Sequence, residues 1–288
     1  SAGLFDEWEY RAKITFPEVN PAAPFSNFPA LIILGTNMTG FEAAQFGSPQ
    51  GADLRFADSN ETTALNYEIE DFNSNGTVSA WVQLPHLAGT NDFIYAYWGR
   101  TSVTASACTT NGSVWSNGFL GVWHFSQTNT GSMGGNPIYL NAASTNRVGL
   151  DYVADTGKTG RVGLGQSFGL TENNDYILVS SSGLNPLTNT ISFWFMTRQV
   201  AVARAIMSVG SGAQDTTPYS IFLHGSGGGL QAYANGYFGV TGSGETGRWV
   251  HVAIRRLDGT MKVYVDGVEK LSNSPGSYGN IGSIWWGV

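Results

Sequence analysis

Alternating apolar and polar residues mark the first strand of the chain. The alternating apolar side chains are Trp8, Tyr10, Ala12, Ile14 and Phe16. A period of two places one set of side chains in a core and the other in water, so residues 8–16 predict a half-buried β-strand. Residues 29–34 are apolar throughout, which predicts a strand covered on both faces.

Further short apolar runs follow, separated by Gly, Asn and Asp turns. In the first third they cover 52–56, 65–69, 78–84 and 93–98, and strand signals resume at 121–125 and continue to 261–265. The dipeptide Asp258-Gly259 between two alternating runs predicts a hairpin, because Gly accepts the positive φ that such turns require. No useful 3.6-residue period is present, so short strands with regular turns predict β-sandwiches.

Residues 101–118 are small and polar apart from a few positions, which makes them the best domain boundary. The predicted organisation is a domain over 1–100, a linker over 101–118 and a second domain over 119–288. The predicted fold class is all-β, with two β-sandwich domains.

The amino-acid composition limits the classes of molecule that the chain is expected to bind. Hydrophobic residues make up 42% of the chain and charged residues only 12%, and the formal charge is −7. An acidic chain with few Lys and Arg argues against nucleic acid and anionic membranes, which require basic patches. No apolar stretch reaches the length of a membrane span. Such a surface suits neutral glycans or protein neighbours.

The chain predicts an extracellular or cell-surface setting. Ser1-Ala2-Gly3 includes no initiator Met and no apolar signal core, as expected for a mature chain whose signal peptide has been removed. The single cysteine, Cys108, excludes an intramolecular disulfide. It is interpreted as an unpaired thiol without a functional role.

Residues 8–99 carry a family resemblance. The matching pieces are WEYRAKITF, GADLRF, LNYEIEDFN, AWVQLP and IYAYWG. They resemble domain of unknown function 2341, an uncharacterised module that precedes laminin-G-like modules in secreted prokaryotic surface proteins. The resemblance implies a fold and a setting, and no reaction.

Residues 119–288 resemble a concanavalin-A-like (laminin-G-like) jelly roll. The matching pieces are GVWHF, GQSFGLTENNDYILV, ISFWF, RWVHVAIRR and MKVYVDGVEK. The resemblance implies two antiparallel sheets packed face to face. It also implies a strand or two beyond SIWWGV, so an open sheet edge is expected. The alternatives are an early end of the chain, proteolysis, or a closing strand supplied by a neighbouring subunit.

One pattern of acidic residues in the chain resembles a catalytic motif. Related jelly-roll enzymes use Glu-x-Asp-x-x-Glu, and this chain has Glu68-Ile69-Glu70 with Asn73 at the last position. The favoured interpretation is two solvated glutamates flanking a buried Ile69. His124 and His251 alternate with apolar neighbours and are interpreted as core or half-buried residues. The chain is therefore predicted not to be an enzyme.

Calcium is the one candidate cofactor, and none is required by the sequence. Hard cations prefer clustered oxygen ligands. The loop that begins at Glu172 offers Asn173, Asn174 and Asp175 as candidate calcium ligands. The same residues are also ordinary turn formers.

Aromatic clusters are the candidate ligand-binding residues, since sugar rings stack on flat apolar faces. The predicted set is Tyr233, Asn235, Tyr237, Phe238, Trp285 and Trp286. Trp285 and Trp286 are adjacent, so on a strand they face opposite sides.

These observations favour a non-catalytic, adhesin-like pair of extracellular modules that recognises a glycan or a surface protein. The alternative is a structural subunit of a filament or surface layer, assembled through the open edge and the segment 1–7. A polysaccharide-degrading enzyme is the third hypothesis. Self-association is thus a candidate property of the chain.

Overall fold

The computed structural model describes most of the chain. The described residues are 3–48, 50–73, 76–128, 133–144, 146–155, 157–169, 175–185, 187–198, 204–210, 219–223, 229–234, 236–240, 246–274 and 282–287. They form β-strands joined by turns, with 3-10 turns at Ala43–Gln45, Ala107–Thr109 and Ser113–Trp115. The all-β prediction is confirmed. In the described parts of the chain, no helix has the length and apolarity needed to cross a membrane.

The chain divides into two compact units, each described separately below. The first unit comprises Ser1–His124 and Asn141–Thr145, and the second comprises Phe125–Leu140 and Asn146–Val288.

Among its described residues, the first unit contains six strands in two antiparallel sheets. They are β1 (Tyr10–Thr15), β2 (Phe25–Leu34), β3 (Arg55–Ala57), β4 (Tyr67–Phe72), β5 (Val78–Leu87) and β6 (Phe93–Trp98). One sheet has the order β1-β6-β3 and the other β2-β5-β4. Buried side chains from both sheets, including Ile32, Val82 and Trp98, form a single core.

Strand alternation sets which side chains enter this core. The predicted alternation in β1 is confirmed, since Tyr10, Ala12 and Ile14 pack against the core. In β2 the prediction of a strand covered on both faces is wrong, because Ile33 is 43% exposed. Its neighbours Ile32 and Leu34 take the core side, so the apolar run includes one solvent-facing isoleucine.

The second unit contains fourteen strands among its described residues. They are β7 (Asn136–Tyr139), β8 (Gly149–Tyr152), β9 (Lys158–Thr159), β10 (Leu164–Gly165), β11 (Tyr176–Ser180), β12 (Asn189–Met196), β13 (Arg204–Gly210), β14 (Tyr219–Leu223), β15 (Leu230–Tyr233), β16 (Tyr237–Val240), β17 (Trp249–Leu257), β18 (Thr260–Val265), β19 (Val268–Asn273) and β20 (Ser283–Trp286). They form an eight-stranded sheet, β16-β15-β14-β13-β20-β11-β8-β7, a four-stranded sheet, β12-β17-β18-β19, and the ribbon β10-β9.

The hairpin between β17 and β18 confirms the Asp-Gly prediction. Asp258 has φ 49° and Gly259 has φ 82°. Two positive φ values at the centre of a two-residue loop define a type I′ turn, whose twist matches that of the flanking strands.

The position of β20 corrects the expectation of an open edge at the C-terminal segment. β20 pairs with β11 on one side and with β13 on the other, so it lies inside the eight-stranded sheet. Trp286 turns toward the four-stranded sheet, with its ring centroid 5.2 Å from that of Phe193. Trp285 turns to the opposite face, as the sequence predicts.

The predicted linker also differs from the structure. Residues 101–118 belong to the first unit, where Val114 and Trp115 are buried. The side-chain amide of Gln83 donates hydrogen bonds to the Val114 carbonyl (3.2 Å) and to Ser116 Oγ (2.8 Å). Although its composition is polar, segment 101–118 is held in the first unit by two buried apolar side chains.

The predicted strand at 121–125 is irregular. The backbone N–H of Val122 donates to the Asn141 side chain (2.9 Å), and its carbonyl accepts from Ala142 N–H (2.8 Å). Both backbone polar groups of Val122 are therefore hydrogen-bonded without a neighbouring strand.

The two adjacent tryptophans of β20 give the first prediction. Trp286 is 8% exposed and Trp285 is half-buried. We expect Trp286→Ala to lower the free energy of unfolding by about 3 kcal/mol or more, because it leaves a cavity between the sheets. Trp285→Ala, the matched control, should cost about 1 kcal/mol. Urea unfolding measures both, and equal losses would contradict the assigned faces.

Candidate functional site

A cluster of buried polar side chains surrounds Glu68 and Glu70 on β4 of the first unit. Residues two apart on a strand share a face, and Glu68 lies directly opposite Trp81 of β5. The ladder shifts register between Ile69 and Asp71, so Glu70 lies at a bulge. The side chain of Glu70 is 5% exposed and that of Glu68 is 19% exposed. The prediction of two solvated glutamates flanking a buried Ile69 is therefore wrong.

Both carboxylates accept hydrogen bonds from indole groups and contact one imidazole. Trp81 Nε1 donates to Glu70 (2.9 Å), and Trp115 Nε1 donates to Glu68 (2.7 Å). His124 Nδ1 contacts Glu70 Oε2 at short range. His124 Nε2 lies 3.3 Å from Glu68 Oε1, an ion-pair contact that lacks hydrogen-bond geometry.

The two carboxylates determine the charge of His124. Burial by itself lowers the pKa of His124, but the contacts with Glu68 and Glu70 outweigh burial and raise the pKa to about 9. His124 is thus a cation at neutral pH, and it is half-buried as the sequence predicts.

This cluster fixes segment 113–124 against the sheet β2-β5-β4. Trp115 and His124 come from that segment, while the acceptors come from β4. The glutamates are visible in the sequence, but two of their partners, Trp115 and His124, lie about 50 residues away and no local pattern connects them. The arrangement holds a proton on His124 and attaches the segment to the sheet.

The candidate calcium ligands are only partly described. Asn173 and Asn174 lie outside the described residues. Asp175 is buried; one oxygen accepts from Ala154 N–H (3.1 Å) and the other from Gly169 N–H (2.7 Å). Within the described residues, no group of three or more His, Cys, Asp or Glu is placed to hold a metal. Calcium binding stays a prediction.

The described candidate ligand-binding residues lie in the eight-stranded sheet, and two of them share its outer face. Cross-strand pairing connects one continuous row across five strands. The row is Leu178, Trp285, Ser208, Ser220 and Tyr233. Their sequence neighbours Met207, Ile221, Ala232 and Trp286 face the core, so this row faces outward. We call it the aromatic row.

The aromatic row is extended by stacked tyrosines. The rings of Tyr152 and Tyr176 stack with centroids 4.4 Å apart, and Tyr176 lies 4.8 Å from Trp285. Sequence analysis missed both tyrosines. Tyr176 alternates with the core residues Ile177 and Val179, and this period-two signal could have placed it on the outer face.

The other predicted ligand-binding residues are distributed differently. Trp286 lies in the core, and Phe238 lies opposite the buried Ala232, on the core side. Asn235 lies outside the described residues. Tyr237 is placed by its register opposite Tyr233. Of the predicted set, the structure therefore aligns Tyr233 and Trp285 on one face.

The raised pKa of His124 predicts a pH-dependent stability. Because the folded pKa of about 9 exceeds the ordinary 6.5, the stabilisation is complete below pH 6.5 and is lost as the pH rises through 9. We expect wild type to lose up to about 3 kcal/mol between pH 6 and pH 9.5, and His124→Gln to lose far less. Urea unfolding followed by tryptophan fluorescence checks this, and parallel pH profiles would contradict it.

Comparison with known families confirms the two resemblances in their predicted order. Residues 50–133 match the family described as "Domain of unknown function (DUF2341)". Residues 171–287 match the "Concanavalin A-like lectin/glucanases superfamily". No curated protein matches the chain.

Three solved structures show partial likeness. Domain 4 of AbnA, a GH43 extracellular arabinanase from Geobacillus stearothermophilus in complex with arabinotriose, is 22% identical, with a TM-score of 0.37 over 46% of this chain and 66% of that chain. A sialidase is 14% identical, with a TM-score of 0.32 over 50% of this chain and 12% of its own. Truncated AlyQ with CBM32 and alginate lyase domains is 9% identical, with a TM-score of 0.25 over 97% and 90%.

At these TM-scores the likenesses carry no argument about a ligand. The chain spans a small part of the sialidase and about two thirds of the arabinanase domain. The fold class rests on the sheets described above and on the family matches. One part of the chain thus matches a domain family of unknown function, and a later part matches the concanavalin A-like family and has a jelly-roll fold.

Proposed function

We propose that this protein is a non-catalytic extracellular module pair whose second unit binds a neutral glycan along the aromatic row. The observation that carries the proposal is the alignment of Trp285 and Tyr233 on one outward row of the eight-stranded sheet. The proposal extends to an adhesin-like role at a cell surface, where the recognised glycan belongs to a neighbouring cell or matrix.

The spacing of the rings favours a polymer over a single sugar. Trp285 and Tyr233 lie three strands apart, which corresponds to about 14 Å. Ser208 and Ser220 between them are buried, so the rings supply the accessible contact surface. Rings at this separation suit an extended chain of several sugar units, each ring stacking on one apolar sugar face.

The chemistry of the row favours a neutral ligand. None of its five residues is charged. A uronate carboxylate on this row would lose water without gaining a cationic partner, which costs free energy. Hydroxyl groups of a neutral sugar can instead pair with the tyrosine hydroxyls and with water at the rim.

The hydrogen bonding of Glu68 and Glu70, the two glutamates weighed above as a catalytic pair, supports a binding function over catalysis. A retaining glycosidase needs one carboxylate as nucleophile and one as acid. Glu68 and Glu70 instead accept hydrogen bonds from indoles and contact a histidine that carries a proton at neutral pH. This state suits a structural fastening, so the proposal assigns no reaction to the first unit.

Affinity electrophoresis in gels that contain laminarin, xylan, galactomannan or alginate tests the proposal. We expect retardation by a neutral polysaccharide and none by alginate. Trp285→Ala and Tyr233→Ala should each weaken binding by about ten-fold to thirty-fold, because buried aromatic anchors carry most of an interface's affinity.

Phe25→Ala is the matched control, since Phe25 is an exposed aromatic residue of the first unit. Circular dichroism checks that each variant is folded. Binding that survives both row substitutions, or that fails equally in the control, contradicts the proposed site. Release of reducing ends from any of the polymers contradicts the non-catalytic assignment.

A further inference from the structure

The four-stranded sheet of the second unit carries an exposed apolar surface on its outer face. Trp194 is 47% exposed and Met196 is 41% exposed. They lie on β12 opposite His251 and Trp249 of β17, which are half-buried. We call these four residues the Trp194 patch. Contiguous exposed apolar surface of this kind marks an interaction site.

Basic side chains lie beside the Trp194 patch and further along the same face, and the neighbouring carboxylate of Asp266 is paired with Arg248 (2.6 Å). The guanidinium of Arg161 lies 5.2 Å from the centroid of the Trp194 ring. Further along the same face, Arg255 and Lys262 are cross-strand partners and line a depression of about 290 Å³. Lys262 is paired with Glu269 (2.8 Å), while Arg255 is exposed. An apolar centre with a basic rim suits an acidic segment with apolar residues.

The two units differ strongly in charge. The first unit has four Lys or Arg and twelve Asp or Glu, which gives it a formal charge of −8. The second unit has ten and nine, which gives it +1. A contact between two copies that uses opposite charges therefore pairs the acidic first unit of one copy with basic side chains on the second unit of another, because two first units repel each other.

The N-terminal segment of the first unit has the chemistry that this patch requires. Leu4 is 40% exposed and is followed by the exposed acids Asp6, Glu7 and Glu9. Glu7 is ion-paired with Arg100, whereas Asp6 accepts a hydrogen bond from the Gly3 N–H within the segment, so Asp6 and Glu9 are the better test positions. An exposed leucine followed by acidic residues matches an apolar patch rimmed by arginines.

We propose that the Trp194 patch binds the acidic N-terminal segment, residues 3–9, of a second copy of this chain. The two surfaces are different, so the contact is heterologous, head to tail. A heterologous contact repeats from copy to copy and generates rings or open filaments. The proposal is independent of glycan binding, because it uses the opposite sheet of the second unit.

Sedimentation velocity over a series of protein and salt concentrations tests the proposal. We expect wild type to associate as its concentration rises to about 100 µM and to dissociate as salt screens the charges. Trp194→Ala should raise the concentration at which half the chains are associated by at least about ten-fold. Trp285→Ala is the control and should leave association unchanged.

A charge exchange identifies the partner surface. Arg161→Glu with Arg255→Glu reverses the rim, and Asp6→Lys with Glu9→Lys reverses the segment, so each double variant alone should remain monomeric. An equimolar mixture of the two should associate, because each reversed surface then meets its complement. Lys270→Glu, on the edge strand β19, is the control for the added negative charge.

Three outcomes overturn the proposal. The first is a wild type that stays monomeric at every concentration. The second is association whose strength does not change when Trp194 or the rim arginines are substituted. The third is a pair of double variants that stay monomeric when mixed, although both are folded. Association of Trp194→Ala at wild-type strength, with binding lost in Trp285→Ala, would place the contact on the aromatic row instead.

Discussion

The antiparallel ladder that joins β20 to β11 and β13 is the interaction on which the second unit depends. Without β20 the eight-stranded sheet would separate into a four-stranded and a three-stranded sheet. The same four residues direct Trp286 into the core against Phe193 and Trp285 onto the outer face. One short strand therefore joins the two halves of the sheet, contacts the opposite sheet and supplies the central ring of the aromatic row.

The first unit depends on a different constraint, because it is an acidic domain that buries some of its carboxylates. A buried charge is tolerated only when it is paired or hydrogen-bonded. Asp53 is fully buried, and its Oδ2 accepts three backbone N–H groups, from Gly47, Gly99 and Arg100. Glu70 is paired with Trp81 and with the protonated His124. In both cases at least one partner lies about 50 residues away in the sequence, so the carboxylates connect segments that no local propensity joins.

This distance explains what the sequence could and could not predict. Period-two alternation and the Asp258-Gly259 turn were sufficient for β1, for the hairpin and for the opposite faces of Trp285 and Trp286, because these features depend on adjacent residues. The cluster around His124 and the aromatic row depend on which strands become neighbours. A polar composition at 101–118 also gave no sign of the contacts that fix Val114 and Trp115 in the first unit. Only the three-dimensional pairing of strands brings Tyr176, Trp285 and Tyr233 together on one face.

The two surfaces proposed for the second unit are compatible because they belong to different sheets of one sandwich. The outer faces of two packed sheets point away from each other. A glycan along the aromatic row therefore does not compete for space with a segment bound at the Trp194 patch. Head-to-tail association would also repeat the aromatic row along the assembly. Repeated weak sites on one long glycan raise the overall avidity without any new contact, so self-association and glycan binding would reinforce each other.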